Sequence, residues 1–222
     1  MDGNGRWAKN KGLPRSARHK KGAETLQEIA KAIADLGVEC LTVYAFSTEN
    51  WKRDPSEVEY LMNLLRSYLK TEFSEIKDKG ARIRFIGERN MLDADIVDQM
   101  QRLEEETKNN SKFNFCVALS YGSRAEILSG VKSVCKKVAS GILSVDDLNE
   151  ELFSQELYTR GIPDPDLVIR TSGEQRISNY LLWQVAYSEL FFTKTLWPDF
   201  SVSELKEIIN DFNSRERRYG KV

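Results

Sequence analysis

Short apolar runs alternate with amphipathic helical segments along the chain, and this alternation constrains its fold more than any other feature. Residues 40–46, 83–86, 113–119, 167–169 and 190–192 are compact apolar stretches of strand length. Between them, Leu26, Ile29, Ala30, Ile33 and Leu36 recur at helical spacing, and Gly37 follows where a helix C-terminus takes a left-handed residue. Pro55, Ser56 and Glu59 read as the capped start of a long helix carrying Leu61, Leu64, Leu65, Tyr68, Leu69, Phe73 and Ile76 up to Gly80. Further helices are expected through Ile96, Met100 and Leu103, through Ile127, Val131, Val134 and Val138 after a Ser123/Glu126 box, over 177–187, and through Leu205, Ile208 and Phe212 after a Ser201/Glu204 box. Strands separated by helices cannot pair as hairpins. The expected fold is therefore α/β, one domain over 1–222, with a mostly parallel central sheet covered by helices on both faces. Ligands of such sheets bind beyond the carboxyl ends of the strands.

A net charge of -1 excludes a globally basic nucleic-acid binder. No apolar run reaches the roughly 18 to 20 residues of a membrane span and no signal peptide precedes the first motif, so a soluble, cytoplasmic protein is expected. Cys40, Cys116 and Cys135 are odd in number and set in apolar segments, which predicts buried reduced thiols.

Three polar segments lie where ligands of this architecture bind. In 166–189, Arg170 ends the apolar run at 167–169, a turn through Ser172 and Gly173 follows, and Arg176 and Ser178 stand at the mouth of the helix expected over 177–187. Two guanidinium groups and a helix N-terminus make a receptor for phosphate or diphosphate. The plain alternative is that Arg170 and Arg176 are surface charges paired with Asp166 and Glu174. The second segment is Asp-Gly-Asn-Gly-Arg-Trp at 2–7, with Arg15, Arg18, His19 and Lys20 after it. There Gly3 and Gly5 let backbone amides approach an anion, and Asp2 offers a hard oxygen to a magnesium ion. The third, 47–53, follows the run ending at Phe46.

These segments carry a specific resemblance. Met-Asp-Gly-Asn-Gly-Arg-Trp-Ala at 1–8, Tyr-Ala-Phe-Ser-Thr-Glu-Asn-Trp at 44–51 with Arg53, Ser-Tyr-Gly-Ser-Arg at 120–124, Asp-Leu-Val-Ile-Arg-Thr-Ser-Gly-Glu at 166–174, Arg-Ile-Ser-Asn at 176–179, Leu-Trp-Pro-Asp-Phe at 196–200 and Arg-Glu-Arg-Arg-Tyr-Gly at 215–220 together resemble the cis-prenyltransferase family, in its bacterial undecaprenyl diphosphate synthase form. The resemblance implies condensation of an allylic diphosphate such as farnesyl diphosphate with successive isopentenyl diphosphates. The new double bonds are cis, diphosphate is released, Mg2+ is used, and the product is a polyprenyl diphosphate. It further implies that Gly3, Asn4, Gly5, Arg6 and Arg15 hold the allylic diphosphate, with His19 in the phosphate network and Trp7 and Trp51 touching substrate. Asp2 engages the metal and helps the leaving group depart, and Glu189 is a second metal carboxylate offered across a homodimer. Arg170, Arg176, Ile177 and Ser178 take the isopentenyl diphosphate. Asn50 assists proton removal, while Ser47, Thr48, Glu49 and Arg53 line a loop over the substrates. An apolar product tunnel is implied, built from the helix beginning at Ser56 and strands carrying Val43, Phe85 and Val117, with Phe113 near its floor. Association with a membrane, at the inner face of the plasma membrane, would be peripheral.

Three departures stand out. A hydrophobic strand that the family carries before Asp-Gly-Asn-Gly is absent ahead of Met1, so the native start is expected upstream. Arg18 stands where a glycine is usual, and Ser120 and Ser123 replace the commoner asparagine and glycine. Two other readings compete: a non-catalytic family subunit that binds a partner, and a nucleotide-binding regulatory domain, for which the chain lacks both glycine-rich nucleotide fingerprints.

Overall fold

The structure is a computed structural model that describes residues 1–215, with the side chains of residues 15, 16, 72 and 74 outside the description. The order of elements is α1 (Asn4–Asn10), α2 (Arg15–Asp35), β1 (Cys40–Ser47), α3 (Pro55–Lys70), α4 (Glu72–Asp78), β2 (Ala81–Ile86), α5 (Ala94–Thr107), β3 (Phe113–Tyr121), α6 (Ser123–Ala139), α7 (Glu150–Ser154), β4 (Leu167–Arg170), β5 (Glu189–Phe192) and α8 (Val202–Ser214). All five expected strands form and every ladder is parallel. Their hydrogen bonding divides into β1-β3-β2 and β4-β5.

Alternation along the strands separates two apolar layers. Phe113, Phe115, Val117 and Leu119 of β3 point into a large cluster with Ile29 and Ile33 of α2, Met62 and Leu69 of α3, Ile96 and Met100 of α5 and Leu205 and Ile208 of α8. Cys116, Ala118 and Tyr121 point into a smaller cluster with Leu181 and Val185. The β4 strand obeys the same division, with Leu167 and Ile169 against the large cluster and Val168 against the small one. Both groups of strands thus belong to one α/β layer. An irregularity between Tyr44 and Phe46 in the β1 register lets Val43 and Phe46 face the same side.

Several local expectations change. The segment 177–187 forms turns rather than a helix, because Ser178, Asn179 and Leu181 all have positive φ and their neighbours are taken up by tertiary bonds. The long helix from residue 56 breaks at Thr71 into α3 and α4, where the Thr71 hydroxyl donates back to the Ser67 carbonyl. Its cap is Asp54, which accepts from the Ser56 amide, rather than a Ser56/Glu59 box. On α6 the buried stripe is Ser123, Glu126, Gly130 and Val134, while Val131 is exposed, and Glu126 turns inward instead of closing a box. The Ser201 cap forms, accepting from the Glu204 amide. All three cysteines are free, but only Cys116 is buried; Cys40 is half-buried and Cys135 exposed.

The layer depends on side chains such as Phe115, which is fully buried at the centre of β3. Phe115→Ala should lower unfolding stability by about 3–5 kcal/mol. Leu128→Ala, at an exposed position on α6, should stay within about 0.5 kcal/mol of the parent. Urea denaturation of the two variants tests whether the core lies on this face of the sheet.

Candidate active site

The carboxyl ends of β1, β3 and β4 carry the site, and its centre is the contact between Asp2 and Arg170. The Asp2 Oδ2 accepts from an Arg170 guanidinium nitrogen at 2.9 Å, and its Oδ1 accepts from the Gly3 amide at 2.7 Å. Burial would raise the Asp2 pKa, but these two donors and the Arg170 charge bring it below the ordinary 3.8. The Asp2 backbone is pinned as well. The buried Thr171 hydroxyl accepts from its amide at 3.1 Å and donates to its carbonyl at 3.0 Å, while the Trp197 amide donates to that carbonyl at 3.0 Å. Gly3 has φ +97, and a Cβ there would come within 2.8 Å of Leu196 and 2.9 Å of Ser172, so only glycine passes so close to the β4 end.

The other Arg170 terminal nitrogen donates to Ser178 Oγ at 2.8 Å and to the Arg176 carbonyl. One guanidinium therefore joins the N-terminal segment to the turn at 176–178. Arg6 donates to Ser172 Oγ at 2.7 Å and pairs with Glu174 at 3.0 Å, and Arg176 pairs with the other oxygen of Glu174. The plain alternative is half realised: Arg176 meets Glu174, but Arg170 meets Asp2.

The expected loop over the site is a 3-10 turn, Thr48–Lys52. Within it, Asn50 Oδ1 accepts from the Ser47 amide at 3.0 Å, and Trp51 Nε1 donates to Ser120 Oγ at 2.9 Å. Thr48 Oγ1 donates to Glu49 at 3.3 Å, and Glu49 accepts from Asn179 Nδ2 at 2.8 Å. Burial alone would raise the Glu49 pKa; hydrogen bonds, led by the one from Asn179, hold it below 4.5. A Cβ on Gly122 would lie 2.5 Å from Thr48 Oγ1 and 2.9 Å from Asn179 Nδ2, so this glycine admits the turn and the 179 segment together.

A third group joins α2 to α3. Arg18 pairs with Glu57 at 2.9 Å and donates through Nε to His19 Nε2 at 3.0 Å, while Arg53 reaches the same Glu57 oxygen at 3.2 Å. Burial and the charges of Arg18 and Arg53, against Glu57, push His19 down to about 4. The imidazole is neutral at physiological pH. In all, the guanidinium groups of Arg6, Arg18, Arg53, Arg170 and Arg176 share three carboxylates, Asp2, Glu57 and Glu174. The cluster carries excess positive charge and suits a polyanion. A groove of about 680 Å³ lined by Leu69, Lys77, Arg102 and Glu106 lies elsewhere.

Not every expected residue converges here. Trp7 is buried, with Nε1 donating to Asp199 Oδ1 at 2.7 Å, so it packs instead of standing exposed beside the site. Ile177 packs against the smaller apolar cluster. Asn4 opens α1, its Nδ2 reaching the Met1 carbonyl at 3.4 Å. The Arg15 side chain, and the residues of the 215–220 motif beyond Arg215, lie outside the described residues. Glu189 pairs with Arg215 at 2.9 Å, and no contact among the described residues joins it to Asp2. Residues that sequence reasoning left out of the site are Asn179, Glu57 and Ser172. Asn179 had a signal in its place within Arg-Ile-Ser-Asn; Glu57 reads from sequence only as an acid in a helix first turn.

Among the described residues no three His, Cys, Asp or Glu side chains form a metal-binding group. Asp2 is the carboxylate seen on Arg170. A single half-exposed carboxylate suits an ion held mainly by phosphate oxygens and water, as Mg2+ is, and not a protein-caged metal.

A parallel α/β layer with an arginine-rich, acid-bearing cluster at its strand ends is an arrangement suited to an enzyme acting on phosphorylated substrates. Comparison with known proteins supplies the family. The chain belongs to the prenyltransferase family whose model is described as "Putative undecaprenyl diphosphate synthase", matched over residues 1–220. It is 47% identical over its full length to the isoprenyl transferase of Clostridium perfringens, covering 88% of that protein. It is 49% identical to that of Prochlorococcus marinus, again over its full length and covering 82% of that protein. A crystal structure of lavandulyl diphosphate synthase from Lavandula x intermedia, in complex with dimethylallyl diphosphate, superposes with a TM-score of 0.96 at 32% identity, covering 100% of this chain and 95% of the other. A probable undecaprenyl diphosphate synthase from Campylobacter jejuni gives 0.80 at 34% identity, covering 91% and 93%. The matches support cis-prenyl chain elongation on diphosphate substrates, chemistry that generally uses a metal ion.

The depressed His19 pKa has a consequence for stability. Because the folded-state value lies below the ordinary 6.5, protonation favours the unfolded chain. The contribution is complete above about pH 6.5 and falls away as the pH drops toward about 4. His19→Gln should flatten the fall in denaturation midpoint over that window at constant ionic strength; equal slopes for the two proteins would show that His19 does not titrate there.

Proposed function

We propose that the protein condenses farnesyl diphosphate with successive isopentenyl diphosphates, in the cis configuration, to make a long polyprenyl diphosphate of the undecaprenyl class. The observation that carries this reading is the Arg170 guanidinium, held at once by Asp2, Ser178 and the Arg176 carbonyl. In this reading the same guanidinium is shared by two neighbouring diphosphate receptors.

In this reading Gly3, Asn4, Gly5, Arg6, Arg15 and His19 hold the allylic diphosphate, and Arg170, Arg176 and Ser178 hold the isopentenyl diphosphate. Adjacent anchors bring the reacting carbons together, which converts a bimolecular encounter into an oriented step. As the allylic carbon–oxygen bond breaks, charge accumulates on the departing diphosphate, and the fixed guanidinium groups stabilise it without reorganising. Asp2 would hold Mg2+, which when bound would supply further neutralisation of that charge. Glu189 is the second metal carboxylate, offered across a homodimer. Asn50, fixed through Oδ1 by the Ser47 amide, positions a water that takes the proton released after condensation; a weak acceptor is adequate for so acidic a cation. Ser47, Thr48, Glu49, Trp51 and Arg53 cover the substrates.

The growing chain is read as entering the large apolar cluster between α3 and the sheet. Val43, Phe85, Val117 and Phe113 all lie there with Met62 and Leu69. Each buried methylene is worth about 0.8 kcal/mol, so an apolar route draws the product inward. No helix among the described residues is long and apolar enough to cross a membrane, and delivery of a lipid product is read as peripheral contact with the inner face of the plasma membrane.

Labelled isopentenyl diphosphate with farnesyl diphosphate tests the reading. Magnesium-dependent, butanol-extractable label is expected, reduced on the order of 100-fold in Asp2→Ala, the size seen when one electrostatic contact to developing charge is lost. Product of only 15 or 20 carbons would refute the long-chain assignment. No incorporation by the unsubstituted protein would refute the transferase assignment and turn attention to a non-catalytic partner subunit.

A further inference from the structure

Arg18 stands in the first turn of α2 and is unusually well held for a side chain that sequence patterning gives no task. Its Nε donates to His19 Nε2 at 3.0 Å and one terminal nitrogen donates to Glu57 at 2.9 Å, with only 15% of the side chain exposed. A guanidinium has five N–H donors in a rigid fork. The other terminal nitrogen bonds to no residue among those described, and it faces Gly5, where an added Cβ would stand 3.2 Å from it.

Gly5 is informative because its backbone does not demand glycine. It lies within α1, and its φ is not among the positive values. Glycine inside a helix costs roughly 0.5–1 kcal/mol relative to alanine. What its missing side chain provides here is an open approach between the free face of Arg18 and the segment 3–5. The charges at that face suit an anion. Glu57 is shared by Arg18 and Arg53 and cannot neutralise both, and His19, which accepts from Arg18, brings no positive charge of its own.

We propose that Arg18 is an additional donor to the diphosphate of the allylic substrate, with His19 and Glu57 as the positioning residues that aim its fork across Gly5. This rests on reading the segment 3–5 as the allylic diphosphate site. It adds Arg18 to the cations at this corner, and gives His19, already read as a diphosphate contact, the further task of orienting the Arg18 fork. A structural strut is the competing role, and a partly exposed pair between two helices contributes little on its own.

The test uses the full chain with magnesium and varies one substrate at a time. Arg18→Gly should raise the KM for farnesyl diphosphate, and the Kd for the unreactive farnesyl thiodiphosphate, about tenfold or more, as expected for losing a charge-assisted hydrogen bond. The KM for isopentenyl diphosphate should stay within about twofold, since its receptor keeps every contact. Arg18→Lys should recover only part of the loss, because an ammonium lacks the fork. Glu57→Gln should raise the allylic KM by less than Arg18→Gly, loosening the guanidinium without removing it. Two results would overturn the proposal: equal lowering of Tm by Arg18→Gly and Glu57→Gln with the allylic KM unmoved, which makes Arg18 a strut, or a parallel rise in both KM values. Failure of the underlying reading looks different, since the unsubstituted protein would then bind no farnesyl thiodiphosphate, and the role of Arg18 would fall with it.

Discussion

The site depends on one contact, the ion pair between Asp2 and Arg170. Around it the N-terminal segment and the end of β4 are also joined by the Thr171 hydroxyl, by Arg6 on Ser172 and Glu174, and by the Trp197 amide. Through it, a guanidinium that also reaches Ser178 and the Arg176 carbonyl ties the N-terminal segment to the turn at 176–178. Neighbouring choices follow from that geometry. Gly3 has no room for a side chain against Leu196 and Ser172, Thr171 is buried to hold Asp2 by both backbone groups, and Ser172 takes a positive φ so that its hydroxyl meets Arg6.

A second hub holds the remaining wall from below. Glu126 is fully buried, and burial raises its pKa despite donors from Tyr121, Gln184 and the Tyr158 amide. Gln184 passes the connection to Thr159, the Leu182 amide donates to Ser123 Oγ, and Tyr180 stacks on Tyr44 with ring centroids 4.5 Å apart. These bonds fix the turns of 177–187 to α6 and β1. Buried polar networks of this kind specify one conformation because each member left unsatisfied is costly. They hold Ser178 and Asn179 in backbone conformations that a free chain seldom visits.

The sequence made the architecture legible where hydrophobic burial decides conformation. The apolar runs of β2 and β3, the stripe of α2 ending at Gly37 and the Ser201 cap all express local rules that tertiary structure left intact. It misled where tertiary bonds outweigh propensity. Leu-Leu-Trp-Gln-Val-Ala reads as helix, yet Gln184, Trp183 and Leu182 are each claimed by groups far away in sequence. Trp7 beside glycines and charges reads as exposed, but its indole finds Asp199, 192 residues on. Within the site, arginines near glycines signalled an anion receptor. Which carboxylate each arginine would meet was not legible, because that depends on how the ends of β4, α1 and α3 are brought together.

The sharing of three carboxylates among five arginines also settles when the ordering of this surface is achieved. Long cationic side chains lose rotamer freedom when they are fixed, and that loss normally falls on the moment of binding. Here the acids hold the guanidinium groups in place within the folded chain, so the ordering is complete before any ligand arrives. The carboxylates serve as splints for the cations around them.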